Sequence, residues 1–316
     1  MAQYALTFPL VPRRRLVGLA FGAMRSVRRG RGFDVAGSRP YRPGDDMRAI
    51  DWGASARLSA ARGADEFLVR ERFAEEAPRV VIVCDRRPEM ALFPPGFPWL
   101  SKPAAMREIG TLIADSALKA RGLVGYLDYA CVEHPDPALR TEAPFWRPPA
   151  SQHEHWRLKE SHLLFPYFHA PRDNLTRAFR YLTELKRHLP AGSFVFVLSD
   201  FIEMPAIEVW TETLELPWDI VPVVVQDRIW EQSFPSVAGV VLPLADPATG
   251  RIVSVRLTRR EGESRRRAHE ARLERLLDDF ESLDLQPVVV STTEPDDILR
   301  SFLAWAEERT AVLARV

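Results

Sequence analysis

The stretch Arg79-Val-Val-Ile-Val-Cys-Asp85 decides the fold. It is a short run of β-branched apolar residues that ends in a carboxylate, and such a run predicts a strand buried on both faces of a parallel sheet. A second run of this kind, Ser193-Phe-Val-Phe-Val-Leu-Ser-Asp200, follows later in the chain. Because ligands bind beyond the carboxyl ends of such strands, Asp85 and Asp200 are the first candidate site residues.

Further strands and helices alternate along the chain on either side of these two runs. We predict strands at 122–130, 219–225 and 287–290, and helices at 104–119, 175–189, 206–216, 263–283 and after Thr293. The alternation predicts an α/β fold, with a mostly parallel sheet covered by helices on both faces. Prolines between 135 and 149 predict a loop, and Asp246-Pro-Ala-Thr-Gly250 predicts a hairpin insertion at about 236–258, with strands at 237–242 and 251–257.

Composition excludes several classes of protein. The 316 residues include 43 basic and 43 acidic side chains, and this zero net charge argues against a nucleic-acid partner. Two cysteines, Cys84 and Cys131, cannot form a disulfide framework or a zinc knuckle, which favours a reducing compartment, the cytoplasm. The sequence has no Walker A loop, no G-x-G-x-x-G after a first strand and no G-x-S-x-G elbow, so the common nucleotide-binding and hydrolase readings lack their key residues.

The first 33 residues are strongly basic, with seven arginines and no acid. The apolar run at 16–24 has about half the length that a membrane span requires. Two interpretations stay open for this segment. It forms a basic amphipathic helix that contacts an anionic membrane surface, or it forms a surface helix that meets acidic residues elsewhere in the protein.

A distinctive block lies between these two regions: Ser38-Arg-Pro-Tyr-Arg-Pro-Gly-Asp-Asp-Met-Arg-Ala-Ile-Asp-Trp52, followed by Ser55-Ala-Arg57. It resembles the signature of the bacterial family called domain of unknown function 58, which reads R-x-Y-x-x-G-D-D-x-R-x-I-D-W and then S-A-R. The matching residues are Arg39, Tyr41, Gly44, Asp45, Asp46, Arg48, Ile50, Asp51, Trp52 and Arg57.

The block has a structural and a functional interpretation. As a structural clasp, Gly44 lies in a turn, Asp45 and Asp46 accept backbone N–H groups, Arg48 or Arg57 pairs with Asp51, and Trp52 is an apolar anchor. In the functional interpretation, the same residues form a surface that binds a partner. We expect no catalytic role for these carboxylates, because no nucleophile or histidine accompanies them.

The resemblance implies a von Willebrand factor A-like (Rossmann-like) domain at 79–316, preceded by an N-terminal extension at 1–78. Such domains usually bind Mg²⁺ through a D-x-S-x-S motif on the first strand, a distant threonine and a distant aspartate. Here the two serine positions hold Arg87 and Glu89, and Asp173 falls at the threonine position. Only Asp85 and Asp200 keep the residue types that the resemblance leads us to expect.

Two arrangements of this degenerate site remain open. In the first, the Arg87 guanidinium lies between Asp85 and Asp200 as a replacement for the metal ion, and no cofactor is needed. In the second, Asp85, Glu89, Asp173 and Asp200 hold a divalent ion. The first predicts a non-enzymatic adaptor, and the resemblance implies a MoxR-type AAA+ ATPase as its partner. The second predicts a metal-dependent hydrolase.

Two other groups are candidates for function. Phe93, Phe97 and Trp99 lie in a proline-rich loop after the degenerate motif, and we expect them either to dock a partner or to fold against their own domain. His153, His155, His162 and His169 fall within seventeen residues. A His-x-His pair can bind zinc or copper, but a solvated polar helix is the simpler interpretation.

Overall fold

The computed structural model describes residues 6–13, 29–41, 47, 50–63, 67–73, 77–91, 100–151, 162, 167–186, 189–245 and 251–315. They form two compact units, one of Met1–Arg13 with Arg79–Val316 and one of Arg14–Pro78. The first thirteen residues thus group with the larger unit and not with the rest of the extension predicted at 1–78.

The smaller unit combines one strand pair with one helix. Its elements are β1 (Arg29–Pro40), α1 (Trp52–Arg62) and β2 (Leu68–Phe73), and the two strands pair antiparallel. The helix begins after Asp51, whose Oδ1 accepts the Ala54 N–H at 3.1 Å. It ends at Gly63, whose φ of 67° is left-handed and favours glycine. The Ser55 hydroxyl accepts the Leu68 N–H at 2.8 Å and so ties the helix to β2.

The larger unit follows an α/β order. Its elements are β3 (Arg79–Cys84), α2 (Lys102–Lys119), β4 (Leu123–Asp128), β5 (Phe145–Ala150), α3 (Asn174–Glu184), β6 (Phe194–Ser199), α4 (Ile207–Leu214), β7 (Asp219–Val225), β8 (Val241–Ala245), β9 (Ile252–Arg256), α5 (Arg259–Ser282), β10 (Val288–Val290) and α6 (Pro295–Arg315). The predicted helices and strands are present, with ends that differ by a few residues.

A six-stranded sheet in the order β10-β7-β6-β3-β4-β5 forms the centre of this unit. All neighbours pair in parallel except β4 and β5, which are antiparallel. The mixed α/β architecture with a mostly parallel sheet is therefore confirmed. Side chains alternate along each strand, so β3, β6 and β7 bury apolar residues on both faces.

Helices supply the two apolar layers that cover the sheet. On one face, Phe179 of α3, Trp210 of α4 and Phe280 of α5 are fully buried together. On the other face, Phe196 of β6 packs against Phe302 and Trp305 of α6. Each fully buried large apolar side chain contributes about 1.5–3 kcal/mol, so these layers are a main source of the fold's stability.

The start of the chain completes the second layer. Phe8 is buried with its ring 4.6 Å from that of Phe302, and its N–H donates to the Ser116 hydroxyl of α2 at 3.0 Å. The Arg13 N–H donates to Asp219, at the amino end of β7, at 2.7 Å. These contacts explain why residues 6–13 belong with the larger unit.

The structure corrects one predicted loop. Residues 145–150 form β5, an antiparallel strand at the edge of the sheet, although they include Pro148 and Pro149. A proline cannot donate a backbone hydrogen bond, and an edge strand tolerates this because only one of its sides is paired. The hairpin predicted at 236–258 is confirmed, with β8 and β9 pairing antiparallel, and its tip at 246–250 lies outside the described residues.

Candidate functional site

The candidate site lies at the carboxyl ends of β3, β6 and β7, three neighbouring parallel strands. Asp85 follows β3 and Asp200 follows β6, and both side chains are fully buried. The Asp85 N–H donates to the carbonyl of Leu198 on β6 at 2.9 Å, which fixes the two strand ends beside each other. Two buried carboxylates at one edge of a sheet need a positive partner, because an unpaired buried charge is costly.

Arg87 supplies the first positive charge. Its Nη2 donates to Asp85 Oδ2 at 2.7 Å and to Asp200 Oδ1 at 2.9 Å, so one guanidinium nitrogen bridges the two carboxylates. Its Nε lies 3.1 and 3.0 Å from the two Asp85 oxygens. The Arg87 side chain is only 2% exposed. This is the first of the two arrangements considered from the sequence.

Lys102 supplies a second positive charge that the sequence analysis missed. Its Nζ lies 2.7 Å from Asp200 Oδ2 and 2.5 Å from Glu231 Oε1, and the side chain is fully buried. Lys102 is the first residue of α2, directly before Pro103. A lysine at the start of a helix usually reaches solvent, and nothing in its sequence context distinguished it.

The pKa shifts of three groups in the network favour their charged forms, and that of a fourth, Glu231, favours the neutral form. Burial opposes the charge on Lys102, but Asp200 and Glu231 outweigh it and raise the pKa of the lysine. Burial likewise opposes the charge on Arg87, whose pKa is nevertheless raised by the hydrogen bond and charge of Asp85. For Asp200, burial is outweighed by Lys102 and Arg87, so the pKa of this carboxyl is lowered. Burial dominates at Glu231 and raises the pKa of its carboxyl despite Lys102.

Two neutral donors complete the shell of Asp85. The Ser199 hydroxyl donates to Oδ2 at 2.6 Å, and Asn174 Nδ2 donates to Oδ1 at 3.1 Å. Asn174, the first residue of α3, therefore reaches the site, and its neighbour Asp173 does not. Spacing alone could not separate these two adjacent residues.

The four-carboxylate arrangement is not observed. Asp173 is exposed and accepts a hydrogen bond from Arg177 Nε at 2.8 Å on the surface of α3. Glu89 lies in a short 3-10 turn at Pro88–Ala91. In the part of the chain that the structure describes, no group of three or more His, Cys, Asp or Glu side chains is placed to hold a metal ion.

The residues at these strand ends also do not fit Mg²⁺, the ion that domains of the kind implied by the family resemblance usually bind. Magnesium takes oxygen ligands in a near-ideal octahedron. Here Asp85 and Asp200 already share the Arg87 guanidinium, Asp200 also binds the Lys102 ammonium, and a guanidinium beside the carboxylates repels a cation. We therefore derive no chemistry through a metal at this site.

The outer rim of the network reaches the surface. Arg87 Nη1 lies 3.4 Å from Glu203 Oε2, and the other Glu203 oxygen lies 3.7 Å from Arg172 Nη1. Both Glu203 and Arg172 are solvent-accessible. Three large exposed apolar residues lie on the segments that follow β6 and β7: Ile202, Ile207 and Ile229. The sequence analysis did not single them out, because isolated isoleucines carry no motif.

A second buried cluster lies beside the first, at the end of β4. Asp128 accepts a hydrogen bond from the Tyr126 hydroxyl at 2.7 Å and lies 3.0 Å from His162 Nε2. Arg86 Nε lies 3.5 Å from the same Asp128 oxygen, and Arg86 Nη2 donates to the His162 carbonyl at 3.1 Å. Burial favours the neutral form of Asp128, but His162 and Arg86 outweigh it and lower the pKa of this carboxyl. Next to this cluster Cys84 is buried, and burial raises the pKa of its thiol to about 12, which disfavours the reactive thiolate form.

The two described histidines of the predicted group, His162 and His169, have different neighbours. His162 packs flat on Phe145, with ring centroids 3.6 Å apart, and contacts Asp128. The His169 ring lies 4.6 Å from that of His134 and at a steep angle to it. His153 and His155 lie outside the described residues.

The structure shows part of the signature block. Asp51 caps α1, the Tyr41 N–H donates to the Phe67 carbonyl at 2.8 Å, and Arg57 is exposed on α1. Trp52, the apolar anchor of the structural interpretation, is 60% exposed and contacts the Phe67 ring edge-on. This follows from its place at the first position of α1, after the cap. Arg39 lies on β1, opposite Val69 of β2.

Other candidates lie outside the described residues, namely Gly44, Asp45, Asp46 and Arg48 of the block and Phe93, Phe97 and Trp99 of the proline-rich loop. The same is true of most of the basic segment at 1–33. Among the helices that the structure describes, none is both long and apolar enough to cross a bilayer.

Comparisons with solved structures give distant similarities. BatB, a conserved hypothetical protein from Bacteroides thetaiotaomicron, is 15% identical over 73% of this chain and 99% of its own, with a TM-score of 0.41. An aerotolerance-related membrane protein from Bacteroides fragilis is 10% identical over the same shares, with a TM-score of 0.40. The pilus adhesin SpaC from Lactobacillus rhamnosus GG is 8% identical over 75% of this chain and 31% of its own, with a TM-score of 0.42. Similarities of this size support no argument about fold or function.

No curated protein matches the chain. The model of the family described as "Protein of unknown function DUF58" matches residues 37–275, which is well over half of the sequence and includes the whole signature block, the Arg87 network and the hairpin. The chain is therefore a member of the DUF58 family.

Proposed function

We propose that this protein is a non-enzymatic interaction module, and that its larger unit is a von Willebrand factor A-like domain with a degenerate metal site. The observation that carries the proposal is the Arg87 bridge between Asp85 and Asp200, reinforced by Lys102. A guanidinium in the place of a divalent ion keeps the strand ends together without a cofactor. Buried and fully paired carboxylates are also poor general bases, which argues against catalysis at this edge.

The surface that surrounds the network supports a role in binding. Ile202, Ile207 and Ile229 are exposed on the segments that follow β6 and β7, and the charged pair of Glu203 and Arg172 lies at the outer rim of the same network. Apolar side chains with a charged neighbour at the ligand-binding edge of a parallel sheet are a suitable centre for a protein interface. We call these five residues the rim surface and propose that it binds the partner.

The proposed partner is a MoxR-type AAA+ ATPase in the cytoplasm. The resemblance to the family suggests this class of partner, and the sequence has no Walker A loop of its own with which to hydrolyse a nucleotide. In this scheme the ATPase supplies the energy and the module presents a client or anchors the assembly. The proposal needs no chemical step in the chain itself.

The test is co-purification of the chain with a MoxR-type ATPase in the presence of a nucleotide. Ile207→Asp places a charge in the rim surface, and we expect roughly tenfold weaker association, the size of effect that interface residues commonly show. Val312→Asp is the matched control, because Val312 is similarly exposed near the end of α6. This part of α6 lies near the amino ends of the strands, where Arg309 contacts Asp219 at the start of β7. Absence of association for the wild type, or equal loss in both variants, would overturn the proposal.

A further inference from the structure

Strands β8 and β9 of the larger unit carry several large apolar side chains that the rest of the described structure does not cover. The two strands form a sheet of their own, separate from the six-stranded sheet. A two-stranded hairpin alone is only marginally stable in water, and apolar side chains that stay exposed add nothing to its stability. Yet Ile252 is 66% and Val253 is 48% exposed, and Val240 and Val241 are exposed to similar degrees.

The exposed side chains lie on both faces of this hairpin. In the observed register Val241 is opposite Arg256, and Leu242 is opposite Val255. Since opposite residues share a face and consecutive residues alternate, Val241 and Ile252 lie on one face and Val253 lies on the other. A protein partner that packs on a two-stranded sheet covers one face. The boundary between headgroups and acyl chains of a bilayer surrounds such a hairpin on both faces.

The segment that continues from the hairpin is strongly basic. Residues 251–267 contain seven arginines and two acids, Glu261 and Glu263, a local excess of five positive charges in a chain of zero net charge. Both acids are engaged within the segment. Glu261 accepts hydrogen bonds from Thr258 in the capping box of α5, and Glu263 pairs with Arg259 at 3.0 Å. The positive charge of the segment is therefore available to an anionic surface.

The base of the hairpin places these arginines next to the apolar strands. The Gly239 N–H donates to the Leu257 carbonyl at 2.9 Å, and the next residue, Thr258, caps α5. Arg266 Nε donates to the Phe234 carbonyl at 2.9 Å, which holds the first turns of α5 against the segment that leads into β8. Arginines outside this contact stay exposed: Arg256, Arg259, Arg260, Arg265 and Arg267.

We propose that the β8–β9 hairpin and the arginine-rich start of α5 form a peripheral contact site for an anionic membrane surface. Aliphatic side chains enter the boundary between headgroups and acyl chains, where water still satisfies the free strand edges. The arginines bind lipid phosphates, and each charge near such a surface contributes favourably. Nucleic acid fits less well, because it offers no partner for the aliphatic side chains on either face. This site is separate from the rim surface, and the inference does not depend on the ATPase partner.

The experiment is sedimentation of the full chain with vesicles of phosphatidylcholine that contain about 30% phosphatidylglycerol, an anionic lipid. We expect the wild type to sediment with these vesicles, and binding to fall strongly when salt is raised above about 0.1 M, where the screening length is about 10 Å. Val253→Asp should weaken partitioning roughly tenfold, because a charge replaces a buried aliphatic group. Val312→Asp, the same substitution at a side chain that is 46% exposed on α6, should bind like the wild type.

Two further measurements make the outcomes decisive. Thermal unfolding of Val253→Asp should match that of the wild type, since the side chain is outside the core, and Val253→Ser tests the loss of the aliphatic group without a charge. Equal binding to vesicles of phosphatidylcholine alone would overturn the role of the arginines. Failure of the wild type to bind anionic vesicles, or binding to duplex DNA that Val253→Asp leaves unchanged, would overturn the proposal.

Discussion

Two consecutive arginines, Arg86 and Arg87, serve two different networks at one edge of the sheet. Arg87 turns toward β6 and joins Asp85 to Asp200, and Lys102 adds a second permanent cation. Arg86 turns toward β4 and lies beside Asp128, where the other contacts come from Tyr126 and His162. Both networks thus contain ion pairs and neutral donors, but they differ in the number of charges: the Arg87 network joins two cations to three carboxylates, and the Arg86 network has one arginine, one carboxylate and a histidine.

The difference has an energetic consequence. Removal of one member of a buried ion pair leaves an uncompensated charge, whereas removal of a neutral donor costs a hydrogen bond. The loss of a carboxylate that two cations share in the Arg87 network should therefore cost more than the loss of a neutral donor in the Arg86 network.

The largest effect is expected for Asp200→Ala. The change leaves Arg87 and Lys102 buried with one carboxylate fewer, and we expect a loss of about 3–5 kcal/mol in the free energy of unfolding. Urea denaturation measures it. Asp173→Ala is the control, because its pair with Arg177 is exposed and contributes about 0.5 kcal/mol. Similar losses for both variants would contradict the view of Asp200 as the centre of the network.

Arg87→Ser tests whether the guanidinium stands in for a metal ion. The change removes the cation that Asp85 and Asp200 share, and we expect it to cost about 3–5 kcal/mol in the absence of metal. It also adds a hydroxyl beside two carboxylates, so Mg²⁺ should raise the unfolding temperature of the variant and leave that of the wild type unchanged. Calorimetric titration gives a direct check. Micromolar Mg²⁺ affinity of the wild type that disappears in Asp200→Ala would refute the substitution of the metal by arginine.

A smaller effect is expected in the Arg86 network for Tyr126→Phe. The hydroxyl donates to a buried carboxylate at 2.7 Å, and its loss should cost about 1.5–3 kcal/mol. Tyr181→Phe is the matched control, since Tyr181 is half-buried and packs edge-on against Trp146. If Tyr126→Phe cost as much as Asp200→Ala, the two networks would not differ as we describe.

The smallest effect concerns mild acid. Burial and the neighbouring His134 lower the pKa of His169, and burial and Arg272 lower that of His269. Near pH 6.5, the ordinary pKa of histidine, these two histidines therefore bind more protons in the unfolded chain than in the folded protein. The free energy of unfolding consequently falls as the pH drops through this range. Because the pKa values of Asp200 and Asp128 are lowered, the stability that these two carboxylates contribute to the fold is lost only below about pH 4.

Unfolding temperature measured from pH 7 to pH 3 separates these two ranges. In the double variant His169→Gln/His269→Gln the decline between pH 7 and 5 should flatten, and the steep decline below about pH 4 should remain. A steep loss in the upper range that survives the double substitution would show that another group titrates there.

Much of the sheet was predictable, because a buried parallel strand has a simple signature. The runs that end in Asp85 and Asp200 consist mainly of β-branched and aromatic residues, which is typical of strands covered on both faces. Their carboxyl ends mark the end of the sheet where the site lies. Strand β5 was missed because two prolines, Pro148 and Pro149, predict a loop. The strand can contain them because it lies at the edge of the sheet, where one of its sides is unpaired.

The remainder of the site depends on three-dimensional contacts. Lys102 comes from the start of a helix, and Asn174 reaches Asp85 in preference to its neighbour Asp173. Such choices depend on where a loop directs each side chain, and residue types and spacing do not encode that direction. The partners of Arg86 were missed for the same reason, since His162 lies 76 residues later in the chain.

The contact between residues 8–11 and α6 has a consequence for the order of folding. Phe8 packs against Phe302, and Arg309 Nη1 donates to the Val11 carbonyl at 2.9 Å, so residues that are 298 positions apart in the sequence meet in the second apolar layer. Contacts between residues so distant in sequence must close a long loop before they stabilise the fold, so we expect them to form late, after the sheet has assembled.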